Sequence, residues 1–358
     1  MNDIGTGIRF FLRGVVFVAL AFAFLTALES LSKRYPPTDS QHRNLSRIQT
    51  VYEHADSIEV LVLGNSHASY SFDPDEFPWK AGILGLADND IFEVETQARA
   101  LAPSMPCLRQ VILTVSYTSF HWDNALGEEE RLLHSRRMFY AEGLLTPWIS
   151  GDFRNYVQGK TYWLARSDHW RNVVIGLTRG IEWPTQNSPT QTHEDLREHA
   201  EIRVDRYLGR SRLMMAQDAD LSQATYESLN RTIALLQDRG VDVVLVTPPY
   251  YTSYSERMEA AGKPAKMRAL TRSLADENGV RWIDKSVGIF SSSPELFRDS
   301  DHLNARGREK FTRWLVDRHL DQGTVTSPCA ASEAALSRDL TLDDTQRRAR
   351  VGLRDTSG

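Results

Sequence analysis

The stretch "VLVLGNSHASYSF", Val60 to Phe72, runs an apolar segment into Gly64 and then presents Ser66 and His67 where the chain must turn. Gly-Asn alone suffices for a turn. The Ser66 hydroxyl is therefore either a turn group bonded to the local backbone or the reason the turn exists. Val60 to Leu63 are apolar without alternation, the pattern of a strand buried on both faces of a parallel sheet. The strand is expected over Ile58–Gly64, and the pattern recurs at Ala81–Ala87, Gln110–Val115, Val241–Thr247 and Val280–Ile283.

Helical patterns separate these runs. "DIFEVETQARALA" offers Asp90 as N-cap with Glu93 three residues on, a capping box, ahead of apolar Ile91, Val94, Ala98 and Leu101. "YESLNRTIALLQDRG" places Tyr226, Leu229, Ile233 and Leu236 at helical spacing and closes with Gly240. "KMRALTRSLADENG" and "REKFTRWLVDRHL" repeat the logic with Met267, Leu270 and Leu274, then Phe311, Leu315 and Val316. Strands alternating with helices imply an α/β class: a three-layer α/β/α sandwich around a central parallel sheet.

At 358 residues the chain is long enough for one large core with an insertion. A net charge of −5 with no Lys/Arg-rich run excludes a general nucleic-acid binder. Two cysteines, Cys107 and Cys329, make no disulfide framework and lack metal-ligand spacing; a bridge between them is open. Near the N-terminus, Gly14 to Leu25 is uninterruptedly apolar and the character continues to Leu31, about the minimum for a membrane span. A basic start and apolar core also fit a cleaved signal peptide. The absence of a small-x-small site around Leu28–Leu31 favours an uncleaved anchor over 1–34. Basic residues flank both ends, Arg9 and Arg13 before and Lys33 and Arg34 after, so charge does not set its orientation.

Residues 35–56 read as a polar tether, 57–320 as the globular body and 321–358 as a polar, flexible tail. Within the body, roughly 121–222 separate two sheet strands, far more than an ordinary crossover, and read as a mostly helical insertion. Its Trp148, Tyr156, Tyr162, Trp163, Trp170 and Trp183 suit either a sugar-stacking wall or plain packing.

Ligands of open parallel sheets gather beyond the carboxyl ends of the strands, where Ser66 falls. A serine nucleophile needs a base that a third group orients. His67 leaves the turn in a diverging direction and reads as part of it. His302, in "LFRDSDHLNARGREKF", has Asp299 three residues before it; a helical turn there would put both on one side. The plain alternative makes Asp299 or Asp301 a helix N-cap and His302 a surface residue. A metal reading of Asp299, Asp301 and His302 lacks a second clustered His/Asp group, and no cofactor is expected. "TPPYY" after the fourth strand would place Pro248, Pro249 and Tyr250 on the Ser66 edge, as pocket wall or as packing.

"VLVLGNSHA" and, far downstream, "RDSDHLNARG" resemble the first and last motifs of the SGNH (GDSL-like) hydrolase superfamily. With its apolar N-terminal segment, the chain is similar to membrane-anchored bacterial members associated with cell-surface polysaccharide modification. The resemblance implies a flavodoxin-like SGNH fold with Ser66 as nucleophile, His302 as base and Asp299 as its partner. It also implies an oxyanion hole from Ser66 and Gly85, with Gly85 supplied by "ILGLADND". The third motif is absent from "LTVSYTSFHWDN", so its asparagine role is vacant or taken by Asn89, Ser116 or another donor. The implied activity is a serine esterase acting on acyl esters of carbohydrate or another small ester. The alternatives are an O-acyltransferase using the same residues and a catalytically silent glycan-binding component. A membrane-bound acyltransferase is an implied partner, and the implied location is the inner membrane with the body periplasmic or extracellular.

Overall fold

Val60–Gly64 is a strand, and five such strands form one parallel sheet in the order β2-β1-β3-β4-β5. The computed structural model describes residues 3–34, 39–87, 89–123, 167–179, 191–214, 218–320 and 329. In chain order, α1 (Asp3–Arg34) and α2 (Asp39–Glu53) precede β1 (Val60–Gly64), α3 (Ser66–Ser71), β2 (Ala81–Gly85), α4 (Ile91–Leu101) and β3 (Gln110–Thr114). Three helices follow, α5 (Ser167–Arg179), α6 (His193–Met214) and α7 (Asp218–Gln237), leading to β4 (Asp242–Thr247). Then come α8 (Thr252–Ala260), α9 (Lys263–Asn278), β5 (Arg281–Asp284), the short β6 (Phe297–Asp299) and β7 (His302–Leu303), and α10 (Ala305–His319).

The chain forms two compact units, one of Met1–Thr50 with Asp123–Gln186 and one of Val51–Trp122 with Asn187–Gly358. In the first, Arg9–Leu28 of α1 is long and apolar enough to cross a membrane, with a mean hydropathy of 2.3 and none of it buried. The second holds the sheet.

Along the strands, Val60, Val62, Ile112, Val244 and Val246 pack into one cluster with Phe311, Leu315 and Val316 of α10. By the two-residue period, Leu61, Leu63, Val111, Leu113, Val243 and Leu245 face the other way and are equally buried. α4 and α7 pack on one another and onto β1 and β4. Helices thus cover both faces, which is why the strands read as continuous apolar runs. The capping box at Asp90 and Glu93 forms as the sequence indicates. The strand order reverses between β1 and β3, and the loops leaving these two strands flank the crevice where such sheets bind ligands.

The structure adds three points to the sequence reading. The expected tether contains α2, because Asn44, Ile48 and Val51 recur at helical spacing and are all buried. Of the long insertion, the part from Asn187 onward, including α6, belongs to the sheet-bearing unit. Cys107 and Cys329 are joined in a disulfide, Cα atoms 5.2 Å apart, which ties one point of the tail to the body. The rest of the tail and the insertion aromatics other than Trp170 lie outside the described residues.

Candidate active site

The turn after β1 is shaped by two glycines. Gly64 has φ +154°, and a Cβ there would run into the side chain of Thr114, whose hydroxyl donates to the Leu63 carbonyl at 3.2 Å. Asn65 then caps α3: its Oδ1 accepts from the His67 amide at 3.0 Å. Its Nδ2 donates to Ser116 Oγ at 3.1 Å, fastening the end of β1 to the loop after β3. Gly85, at the end of β2, is buried under the first turn of α3; a Cβ on it would overlap the Ser69 amide nitrogen and come within 2.7 Å of the Asn65 carbonyl oxygen. Its lack of a side chain is what lets α3, and hence Ser66 at its first position, sit against the sheet.

Asp299 and His302 do fall on one side, but by a hairpin rather than the expected helical turn. Asp299 ends β6, His302 begins β7, and the two are cross-strand partners, whose side chains share a face. The helix N-cap is neither Asp299 nor Asp301 but Asn304. Its Oδ1 accepts from the Gly307 amide at 2.9 Å, and its Nδ2 donates to the carbonyls of Glu295 and Phe297.

This hairpin delivers His302 to Ser66. His302 Nε2 lies 2.9 Å from Ser66 Oγ, and Nδ1 lies 2.9 and 3.1 Å from the two Asp299 carboxylate oxygens. With Asp299 accepting from Nδ1–H, the tautomer leaves Nε2 free to accept the serine proton. His302 is only 6% exposed, while Ser66 opens on a cleft. A hydroxyl, a base within hydrogen-bond reach and a carboxylate orienting that base can generate a serine alkoxide as it attacks an acyl carbon.

A second layer of charge was not legible in the sequence. Asp301, 3% exposed, places Oδ2 at 3.1 Å from Arg203 Nε and 3.4 Å from His67 Nε2, and Oδ1 at 3.7 Å from His302 Nδ1. His67 therefore does more than turn the chain. It is buried, its ring centroid is 5.0 Å from that of His302, and it pairs with Asp301. Arg203 and His199 both come from α6, where they stand four apart on one face; His199 Nδ1 lies 2.9 Å from Ser300 Oγ. That i,i+4 pair was the available signal, but nothing local told which hairpin it would meet.

Burial pushes the His302 imidazole toward neutrality, but the Asp299 and Asp301 carboxylates outweigh it and hold the pKa above its usual value. Burial works against the Asp301 carboxylate too, yet His302, Arg203 and His67 hold its pKa well below the ordinary range. For His67, burial dominates and lowers the pKa, keeping the ring neutral near pH 7.

Asn65, Asn89, Thr118, Trp122 and Tyr207 are among the residues that line the cleft with Ser66. Asn89 Nδ2 donates to the Gly64 carbonyl at 3.3 Å, and Trp122 stacks on Tyr207 at 5.6 Å. Tyr250 is fully buried behind His67, ring centroids 5.1 Å apart, so it packs rather than walls the cleft. His67, Asp301 and His302 bring imidazole and carboxylate atoms within 4.8 Å of one another, a donor set that suits divalent ions. The Arg203 guanidinium on Asp301 already supplies the positive charge there, and His302 is engaged by Ser66 and Asp299.

The chain matches no protein-family model and no curated protein.

Proposed function

We propose that this protein is a membrane-anchored serine esterase of the SGNH type, acting on acyl esters, acetyl esters foremost, of cell-envelope or extracellular polysaccharide. The observation that carries the reading is the hydrogen-bonded series Ser66–His302–Asp299 at 2.9 Å per step, set beyond the carboxyl ends of a 2-1-3-4-5 sheet. Ser66 Oγ attacks the ester carbonyl carbon as His302 Nε2 takes its proton. The C–O bond of the leaving alcohol then breaks, and His302 returns the proton to that oxygen. Water, activated by the same imidazole, hydrolyses the acyl-serine. Backbone amides of Ser66 and Gly85 are the proposed oxyanion donors, with Asn89 in support. A sugar hydroxyl in place of water makes the same residues an O-acyltransferase, for which a membrane-bound acyltransferase is the natural acyl source.

The apolar α1 supports the anchor, and the Cys107–Cys329 disulfide supports an oxidising side of the membrane, periplasmic or extracellular, for the body. The test is turnover of p-nitrophenyl acetate by the full-length protein in detergent beside Ser66→Ala and His302→Ala. Turnover abolished in both variants supports the reading. Turnover that persists in Ser66→Ala contradicts it, and none in any form leaves the glycan-binding reading ahead. Acetylated oligosaccharide with mass detection of free acetate or acylated acceptor then separates hydrolysis from transfer.

A further inference from the structure

Asp301 is a second carboxylate on the same histidine, and the proposed reaction as written does not use it. It is buried, its Oδ1 has no hydrogen-bond partner, and that oxygen points to within 3.7 Å of the Nδ1 that Asp299 already orients. Its other oxygen is held from two sides by elements distant in sequence, Arg203 of α6 and His67 of α3. A buried carboxylate without a cation costs several kcal/mol; here the cation comes from the segment that separates β3 from β4. We infer that Asp301, clamped by Arg203, is a positioning residue for the reaction proposed above: it stabilises the imidazolium that His302 becomes when Ser66 gives up its proton, and it makes α6 an obligatory part of the active site.

Several features carry this. Arg203 reaches Asp301 by its Nε, and the side chain is only 37% exposed, so the pair is partly shielded from water and from salt. His199, one helical turn earlier, meets Ser300 beside it, so α6 grips the hairpin at two successive residues. The hairpin loop between Asp299 and His302 consists of Ser300 and Asp301 alone, so holding both fixes the imidazole at its base. The charged and titratable groups facing His302 are Asp299 and Asp301 of its own hairpin, His67 and Tyr70 of α3, and Arg203 of α6. Of these, His67 is neutral near pH 7, the Tyr70 ring packs on His302 at 4.7 Å, and Asp301 and Arg203 are the pair whose removal changes its field in opposite senses.

The test is the His302 titration midpoint, read by NMR of histidine-labelled full-length protein in detergent, with its resonance assigned through His302→Gln. Asp301→Asn removes a negative charge and lowers the midpoint by about one pH unit or more. Arg203→Gln removes a positive charge and raises it, and Arg203→Lys restores it. Because this readout needs no turnover, the clamp is tested even if Ser66 proves inert. Where esterase activity is present, the acid limb of the pH–rate profile moves in the same directions. If Asp301→Asn fails to fold, the Arg203 pair decides, since that side chain lines the cleft and is more exposed than Asp301. An unchanged midpoint in Asp301→Asn, or in Arg203→Gln when only that pair folds, overturns the inference.

Discussion

Ser66 Oγ and His302 Nε2 stand 2.9 Å apart although 236 positions separate them in the chain. The serine is fixed from one side, by Gly64, Asn65 and the seat that Gly85 leaves for α3, and the histidine from the other, by the β6–β7 hairpin and the Asn304 cap. Two independent scaffolds thus converge on one hydrogen bond.

That bond has a pH signature. His302 must be neutral to accept the serine proton, and the two carboxylates hold its pKa above the usual 6.5. In the proposed esterase, kcat/KM for a neutral ester therefore rises with pH through a midpoint above 6.5, and a pH–rate profile with a midpoint at or below 6.5 contradicts the electrostatic account.

The same shifts have opposite stability consequences. His302, raised in the fold, favours folding below its unfolded value near 6.5, and that contribution is lost as pH rises through the folded pKa. Asp301, depressed in the fold, favours folding above the ordinary carboxylate value of 3.8, and that contribution is lost as pH falls below it. Thermal melts from about pH 2 to about pH 6, roughly two units either side of that value, will show a steeper acid loss in the wild type than in Asp301→Asn.

Replacing Asp299 by Asn preserves shape but presents an amide to Nδ1, which favours the wrong tautomer. The expected loss in kcat is about 10²- to 10⁴-fold with the melting temperature nearly unchanged. A steady-state assay and a melt on the same sample check it; a loss of fold instead would mean that Asp299 serves the hairpin rather than the imidazole.

Gly85→Ala places a methyl group against backbone atoms that cannot rotate away, the Ser69 amide and the Asn65 carbonyl. Overpacking of this kind costs about 1–3 kcal/mol, and it displaces the turn carrying Ser66. Chemical denaturation should record the loss, with activity falling further than stability alone explains.

The Cys107–Cys329 bridge closes a loop of 222 positions. Cys329→Ser should lower stability by about 2–4 kcal/mol and abolish the mobility difference between reduced and non-reduced protein in denaturing gels. Unchanged mobility in the wild type would show that the cysteines are unpaired.

The sheet was readable because β1, β3 and β4, buried on both faces, leave nearly unbroken apolar runs, and all five strands were placed to within two residues at each end. Asn65, Asp90 and the glycines at β-strand ends announced their turns through local chemistry. Ser66, Asp299 and His302 were legible as residue types able to act together. The hairpin that joins the last two was not, because the four polar residues from Asp299 to His302 carry neither helical nor strand periodicity. The partner of His67 was hidden for a related reason: only the fold reveals that Asp301, 234 positions away, lies opposite it. Arg203 and His199 sat in a helix whose partner no local pattern names, and α2 was hidden in polar sequence because only one residue in three or four of it is buried.

The most direct test of the account is labelling of the full-length protein in detergent with a fluorophosphonate, followed by peptide mass spectrometry. A single adduct on Ser66 is expected, formed faster as pH rises through the His302 midpoint and lost in His302→Ala. An adduct on another serine, or labelling of Ser66 that is indifferent to His302, would contradict it.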